Sequence, residues 1–270
     1  MREWQEGVGK AWAESWKLTD RSFTGLTGQF LGTIASLPGN RILDIGCGAG
    51  EISLALARQR HDAEVLGVDI SPDLIGTARQ RAADNPRLRF IEADAATWQG
   101  NEFEPDLLVS RHGVMFFDDP KAAFANLHAI AATRARLAFT CFRSPEENPW
   151  ASALRRMLPK SNLPPPPHAP GPFAFSDAER VHQLIEAAGW HGIRIEPLDF
   201  AYIAGAGADP VADAVAFFQR IGPAAPALGS LVGNERSVLL DRLTDWATNN
   251  LHDGLVVFPA AAWQITARKG

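Results

Sequence analysis

The chain has 270 residues, 46% hydrophobic and 21% charged, a balance that excludes disorder and fits one large domain or two small ones. A formal net charge of −5 argues against a general nucleic-acid binder, which needs a basic face. Two cysteines, Cys47 and Cys141, exclude a disulfide framework and a cysteine-rich zinc site.

Residues 1–37 read as helical and amphipathic, with Trp4, Val8, Ala11, Trp12, Ser15 and Trp16 at helical spacing. Such a stripe faces either the core or, as a cap, a ligand pocket. From residue 41 strand and helix alternate. Arg41–Ile45 is a short apolar strand ending in glycines, and 51–60 is a helix with Ile52, Ala55, Leu56 and Gln59 along one face. Glu64–Asp69 is the second strand. Ser71-Pro72-Asp73 then supplies an N-cap, a proline at the first helical position and an acid in the first turn. Leu74, Ile75, Ala78 and Ala82 form the buried stripe of that helix. Residues 88–91 and 106–110 are strands three and four, Asp119-Pro120 opens a further helix, and Arg136–Phe142 is strand five. Strand–helix units with apolar strands predict an α/β fold, its parallel sheet covered on both faces.

Residues 144–175 break the pattern. Pro164 to Pro167 are four consecutive prolines, with Pro170 and Pro172 close by, so an extended connector is expected, either a spacer or a lid hinge. A helix over 176–188, strand six over 192–202, an alanine-rich helical insertion over 210–252 and a final strand over 260–268 complete the chain. One domain is expected over 1–270: an N-terminal helical cap (1–37), a ligand-binding core (38–143), the connector (144–175) and the second half of the sheet (176–270).

The most informative segment is Leu43-Asp44-Ile45-Gly46-Cys47-Gly48-Ala49-Gly50, between strand one and a helix. Glycines there let the backbone turn tightly and approach a ligand. Dinucleotide sites use the same context, but Glu51 stands where their pattern has a third glycine or alanine, and a pyrophosphate is repelled by a carboxylate there. Asp69 ends strand two, where a carboxylate accepts from ribose hydroxyls. Asp94, in Glu92-Ala93-Asp94-Ala95, follows strand three and suits an adenine amino group. Three acids at one sheet edge, Asp44, Asp69 and Asp94, suit a ligand with positive charge and no phosphate. S-adenosylmethionine, with its sulfonium, ammonium, ribose and adenine, is such a ligand.

On these motifs, with Gly67-Val68-Asp69-Ile70-Ser71 and Asp106-Leu107-Leu108-Val109-Ser110-Arg111, the chain resembles the class I S-adenosylmethionine-dependent methyltransferases over residues 40–143. The run from Ser110 to Pro120, together with Pro170-Gly171-Pro172-Phe173-Ala174-Phe175 and Ala260-Ala261-Ala262-Trp263, is similar to a bacterial small-molecule branch related to quinone-biosynthesis methyltransferases. The resemblance implies a Rossmann-like, seven-stranded, mostly parallel sheet with strand seven antiparallel between five and six. The insertion and the N-terminal helices would roof the pocket. It implies S-adenosylmethionine as cofactor and S-adenosylhomocysteine as product. Gly46, Cys47 and Gly48 would meet the methionine part through their backbone, Asp69 the ribose, and Ile70 and Leu74 the adenine face. Asp94 and Ala95 would read the adenine edge, and backbone near Ser110 and Arg111 would meet the ammonium. Two departures stand out: Ala132-Thr133-Arg134-Ala135 replaces the branch's Pro-Gly-Gly turn, and His112 stands where the branch often has Phe.

A sulfonium is an activated methyl donor, so the protein's main task is positioning. His112 is the candidate general base, or else a pocket-wall residue. Arg111 pairs either with a carboxylate of substrate or cofactor, or with a framework acid such as Asp69 or Asp94. Cys47 reads as a space-filler, and Asp118-Asp119 as a helix cap. The histidines lack metal-ligand spacing, so no metal is expected. Eight tryptophans suit an apolar pocket, with Trp12, Trp16, Met115 and Phe116 as its wall. A non-methylating protein that binds the same cofactor and a nicotinamide-dependent oxidoreductase are the competing readings. Glu51 and the edge acids count against the second. Nucleic-acid methylation is disfavoured by charge. The expected partner is a small molecule, with no nucleic acid and no stable membrane insertion, and the chain acts as a monomer or homodimer. Charges at the N-terminus, where a signal peptide needs an apolar core, give the cytoplasm as the expected compartment.

Overall fold

In the computed structural model the N-terminal stretch forms α1 (Arg2–Gln5), α2 (Gly7–Glu14), α3 (Trp16–Ser22) and α4 (Thr24–Ala35). The structure describes residues 2–5, 7–100, 103–158, 166, 168–222 and 224–270, with residues 2 and 3 described by backbone alone. Ser15 and Phe23 leave helical geometry with ψ of 16° and 6°. These breaks let the cap wrap the domain. Helix α2 packs on α6 (Pro72–Ala82), and α3 and α4 pack on β6 (His191–Gly205).

The first-half strands are β1 (Arg41–Ile45), β2 (Glu64–Asp69), β3 (Leu88–Glu92), β4 (Leu107–Arg111) and β5 (Arg136–Phe142), all parallel. β8 (Leu255–Arg268) then runs antiparallel between β5 and β6, giving the order β3-β2-β1-β4-β5-β8-β6. This is the mostly parallel α/β sheet expected. Helices cover both faces. One core gathers Phe30 and Ile34 of α4, Ile52 and Leu56 of α5 (Glu51–Gln59), and Ile75 and Ala78 of α6. The other gathers Phe124 and Leu127 of α7 (Pro120–Ile130), Ile185 of α9 (Ala178–Ala187) and Trp190. Each of the Leu, Ile and Phe side chains, fully buried, contributes roughly 1.5–3 kcal/mol relative to exposure.

Four expectations need correction. The sheet has eight strands among the described residues, because β7 (Leu251–His252) pairs with the start of β8. Asp253 and Gly254 join them with φ of +49° and +78°, a two-residue turn whose positive dihedrals match strand twist. Second, β8 begins five residues before the expected 260. Its Pro259 lies where β8 has outrun β5, so no β5 partner needs the missing N–H. Third, β6 runs 15 residues, not 192–202, because it continues alongside the extended β8.

Fourth, the connector is partly helical. Asn148-Pro149 starts α8 (Pro149–Met157), with Trp150, Ala151 and Leu154 buried. Asn148 Nδ2 donates to the Ala261 carbonyl at 3.0 Å, and its Oδ1 accepts from the Ala261 N–H at 3.0 Å and from Trp150 Nε1 at 3.1 Å. Pro164, Pro165 and Pro167 of the proline run, and Pro223 of the insertion, lie outside the described residues. The insertion forms α10 (Pro210–Phe218), α11 (Ala224–Ser230) and α12 (Gly233–Thr248). Among the described residues no helix is long and apolar enough to cross a membrane.

Candidate active site

Strand order reverses between β1 and β4, and open α/β sheets bind ligands in the crevice at such a point. The turns after these two strands cross at a pair of glycines. A Cβ on Gly46 would lie 2.8 Å from the Gly113 Cα, and one on Gly113 would lie 2.6 Å from the Ile45 carbonyl oxygen. Ser110 stitches the crossing: its Oγ donates to the Ile45 carbonyl at 2.7 Å and accepts from the Gly113 N–H at 3.2 Å. Gly48, with φ of +55°, faces open space instead, so a ligand can lie against its backbone.

A cavity of about 720 Å³ opens there, within the ~300–1,000 Å³ range of cofactor and small-ligand sites. Its walls divide along the sheet. Asp44, Glu51, Asp69 and Asp94 stand at the β1–β3 end, and Phe142, Trp150, Phe173 and Tyr202 at the β5–β6 end.

Asp69 Oδ2 accepts from the Gly48 N–H at 2.8 Å, and Oδ1 from the Ser71 N–H at 2.9 Å. Burial nevertheless raises its pKa. Ile70 and Leu74 line the cavity beside it. Asp44 is 1% exposed and accepts from Ser53 Oγ at 2.5 Å; burial pushes it up to about 6. Asp94 Oδ1 takes the Ala96 N–H at 2.9 Å, with Ala95 next to it on the wall. Carboxylates of one sign, crowded in this way, favour a cationic ligand. Gly46, Cys47 and Gly48 all reach the cavity, and burial drives the Cys47 thiol well above its ordinary pKa, so it stays a thiol.

Some of the other candidates sit where expected and some do not. Ser110 is fully buried and lies behind the wall, not on it. Trp12, Met115 and Phe116 line the cavity, but Trp16 does not. The Trp16 ring stacks under the Arg81 guanidinium, 3.8 Å from its centroid, because the break at Ser15 turns α3 toward α6. Arg111 pairs with Glu51 and donates to Thr27 Oγ1 at 2.6 Å, so its framework acid is neither Asp69 nor Asp94. Asp119 caps α7 by accepting from the Ala122 N–H at 3.1 Å. Among the described residues no group of His, Cys, Asp or Glu is placed to hold a metal ion.

His112 lines the middle of the cavity, 7% exposed, with Nδ1 2.8 Å from Thr140 Oγ1. Its ring centroid is 4.1 Å from Phe142 and 5.5 Å from Phe23. Burial, and then the Arg111 charge, push its pKa down to about 3.

The sequence reading missed Asp20. This acid lines the cavity from the cap, paired with Arg81 at 2.6 Å; burial and the Glu51 charge push it up to about 6. Arg81 also donates to the Ala49 carbonyl at 2.7 Å, which ties the cap to the glycine turn. No local pattern predicts a contact between residues 61 positions apart. Phe142 and Tyr202 were hidden the same way, as inward positions of strands whose ends pass the cavity.

Comparison with known proteins places these features in context. Residues 42–133 match the model of a methyltransferase domain. The chain is 30% identical to the demethylmenaquinone methyltransferase of Thermus thermophilus over 176 residues, 61% of this chain and 80% of that one. It is 38% identical to the trans-aconitate 2-methyltransferase of Methylobacterium radiotolerans over 90 residues, 33% of each chain. In fold it resembles N-methyltransferase NodS of Bradyrhizobium japonicum, solved with S-adenosylhomocysteine, at TM-score 0.53 and 16% identity over 94% of this chain and 91% of that one. Phosphoethanolamine N-methyltransferase 2 of Haemonchus contortus, solved with S-adenosyl-L-methionine, superposes at TM-score 0.58 and 17% identity over 98% of this chain and 58% of that one.

Proposed function

Because this chain belongs to the S-adenosylmethionine-dependent methyltransferases, we propose that it methylates a small, flat, largely apolar acceptor held at the aromatic end of its cavity. The observation that carries the reading is the division of one cavity into an acidic end, with Asp44, Asp69 and Asp94, and an aromatic end. The open face of Gly48 and the carboxylates around it fit a cofactor with a cationic head and a ribose.

S-adenosylmethionine brings a methyl group already activated by its sulfonium. The chain's residues bind and orient. Asp69, its oxygens held by two backbone N–H groups, has lone pairs left for the ribose hydroxyls. Ile70 and Leu74 pack the adenine, and Asp94 with the Ala95 N–H reads its edge. The backbone of Gly46, Cys47 and Gly48 holds the methionine part, and the Arg111 backbone and the Asp44 charge meet the ammonium. Phe142, Trp150 and Tyr202 present ring surface to the acceptor and exclude water. The Thermus relative, named for a quinone precursor, supports an aromatic acceptor over the small acid named for the Methylobacterium relative. The cap and the insertion roof this chamber as parts of a single domain.

Calorimetric titration with S-adenosylmethionine and S-adenosylhomocysteine, with NADH as control, tests the cofactor end. A screen over phenols, quinone precursors and small amines then tests the acceptor end. Binding of the first two but not NADH, followed by methylation of an aromatic, is expected. No cofactor binding to folded protein would overturn the proposal.

A further inference from the structure

Charge is unevenly shared along this chain. Its net charge is −5, yet between Glu147 and Asp177 it has no acidic residue and three basic ones, Arg155, Arg156 and Lys160. Helix α8 lies in that stretch and packs on β8 and α12. Strand β8 stands three places from β1, about 14 Å at ordinary strand spacing. The helix therefore flanks the aromatic end of the cavity, away from Asp44 and Asp69.

Trp150, Ala151, Ser152 and Arg155 of α8 all line the cavity. Positions 151, 152 and 155 are three and four residues apart, so they share one helix face. That face is held in place. Asn148, just before the helix, is bound to the Ala261 backbone, and the Trp150 ring stacks on Tyr202 at 4.8 Å with 9° between the planes. Arg155 follows Ala151 by one turn, about 6 Å of rise, and is exposed as well as cavity-lining, so it stands at the mouth.

Among the described residues the Arg155 guanidinium has no carboxylate partner, and no Asp or Glu lines this end of the cavity. Glu147, the acid just before the helix, pairs with Arg143, as does Asp199. Arg111, elsewhere on the wall, is paired with Glu51. His168, also on the wall, adds positive charge or none. A cation in the last turn of a helix is favoured by the helix dipole, and Arg156 shares that benefit. Of the two arginines, Arg155 lines the cavity and Arg156 does not.

We infer that the acceptor is an aryl carboxylate, its ring against Phe142, Trp150 and Tyr202 and its carboxylate paired with Arg155 at the mouth. The inference rests on the methyltransferase reading above and names the acceptor class that it leaves open. One guanidinium matches one planar, singly charged carboxylate through two parallel hydrogen bonds. The acids at the β1–β3 end repel that group, so the ligand enters in one orientation, with the opposite edge of its ring toward the cofactor. The carboxylate is a handle and not the methylated atom. Arg155 is then a specificity-determining residue that touches substrate.

The test uses the full chain saturated with S-adenosylhomocysteine and two probes of one ring system and nearly one shape, naphthalene-2-carboxylate and naphthalene-2-carboxamide. Calorimetry is expected to show tighter binding of the carboxylate by about five-fold, the upper range for an ion pair open to solvent. The preference is expected to shrink with added salt. Arg155→Gln is expected to abolish it, and Arg155→Lys to keep part of it. Arg156→Gln removes the same charge one residue away and is expected to leave it intact. Both positions are exposed, so the variants are expected to fold, which circular dichroism checks. Equal affinity for the two probes, no binding of either, a preference that survives Arg155→Gln, or an equal loss in Arg156→Gln would overturn the inference. Failure of S-adenosylhomocysteine itself to bind is a separate result, seen before any probe is added, and would remove the methyltransferase reading instead.

Discussion

Asp69 holds the Gly48 N–H on one carboxylate oxygen at 2.8 Å, which ties the end of β2 to the turn after β1. The same carboxylate therefore shapes the glycine turn and lines the cavity. Asp69→Ala should weaken S-adenosylmethionine binding by more than ~1.5 kcal/mol, since charge-assisted hydrogen bonds are lost. Calorimetry on the variant measures this, and unchanged affinity would refute the ribose assignment.

Buried Asp44 makes both stability and affinity depend on pH. Burial holds its folded pKa at about 6, above the ordinary 3.8, so the folded state binds the extra proton. The stabilisation is complete below about pH 4 and is lost as pH rises through about 6. Asp20, also raised to about 6, acts with the same sign. A cationic ligand prefers the carboxylates, so affinity for S-adenosylmethionine should rise across that window and level off above it. Titrations at pH 5 and pH 7 should show the rise, and Asp44→Asn should flatten it.

Asn148 joins α8 to β8 through a reciprocal pair of bonds to the Ala261 backbone. Asn148→Ala leaves a buried N–H, a buried carbonyl and the Trp150 indole without that partner. The expected loss is about 2–4 kcal/mol of stability, read from chemical denaturation. Because Trp150 stands on the cavity wall, affinity for aromatic ligands should fall as well.

Arg81 reaches Asp20, the Ala49 carbonyl and the Trp16 ring at once. Arg81→Ala should loosen the cap by roughly 1–3 kcal/mol. Hydrogen exchange should speed up over residues 7–22 and stay slow in β1 and β4. Uniform protection in the variant would show that the cap is held elsewhere.

Much of this was readable in the sequence where a local rule governs. The strands β1 to β5 announced themselves because parallel strands buried on both faces are short apolar runs. Ser71 and Asp119 announced themselves as caps with proline following. Asp44, Asp69 and Asp94 were identifiable because each ends or follows a strand on the same sheet edge. Other features depend on distant partners. Arg111 chose Glu51, which only the turn of α5 brings near, and Trp16 chose Arg81 over the cavity. Two local signals were overlooked: Asn148-Pro149 before an apolar stripe, and Asp253-Gly254 between strands.

The position of β8 also bears on the order in which the molecule can assemble. This strand is synthesised after β6 yet belongs between β5 and β6. Until it arrives, β5 offers a long unpaired apolar edge and β6 has no partner in the sheet. The cap waits as well, because Arg21 and Ser22 bond to the Ala204 and Ile203 carbonyls, more than 180 residues downstream. Closure of the cavity is thus a late event that depends on very distant contacts, and such topologies fold slowly. A nascent chain stalled before β8 would expose the surface that aggregates most readily.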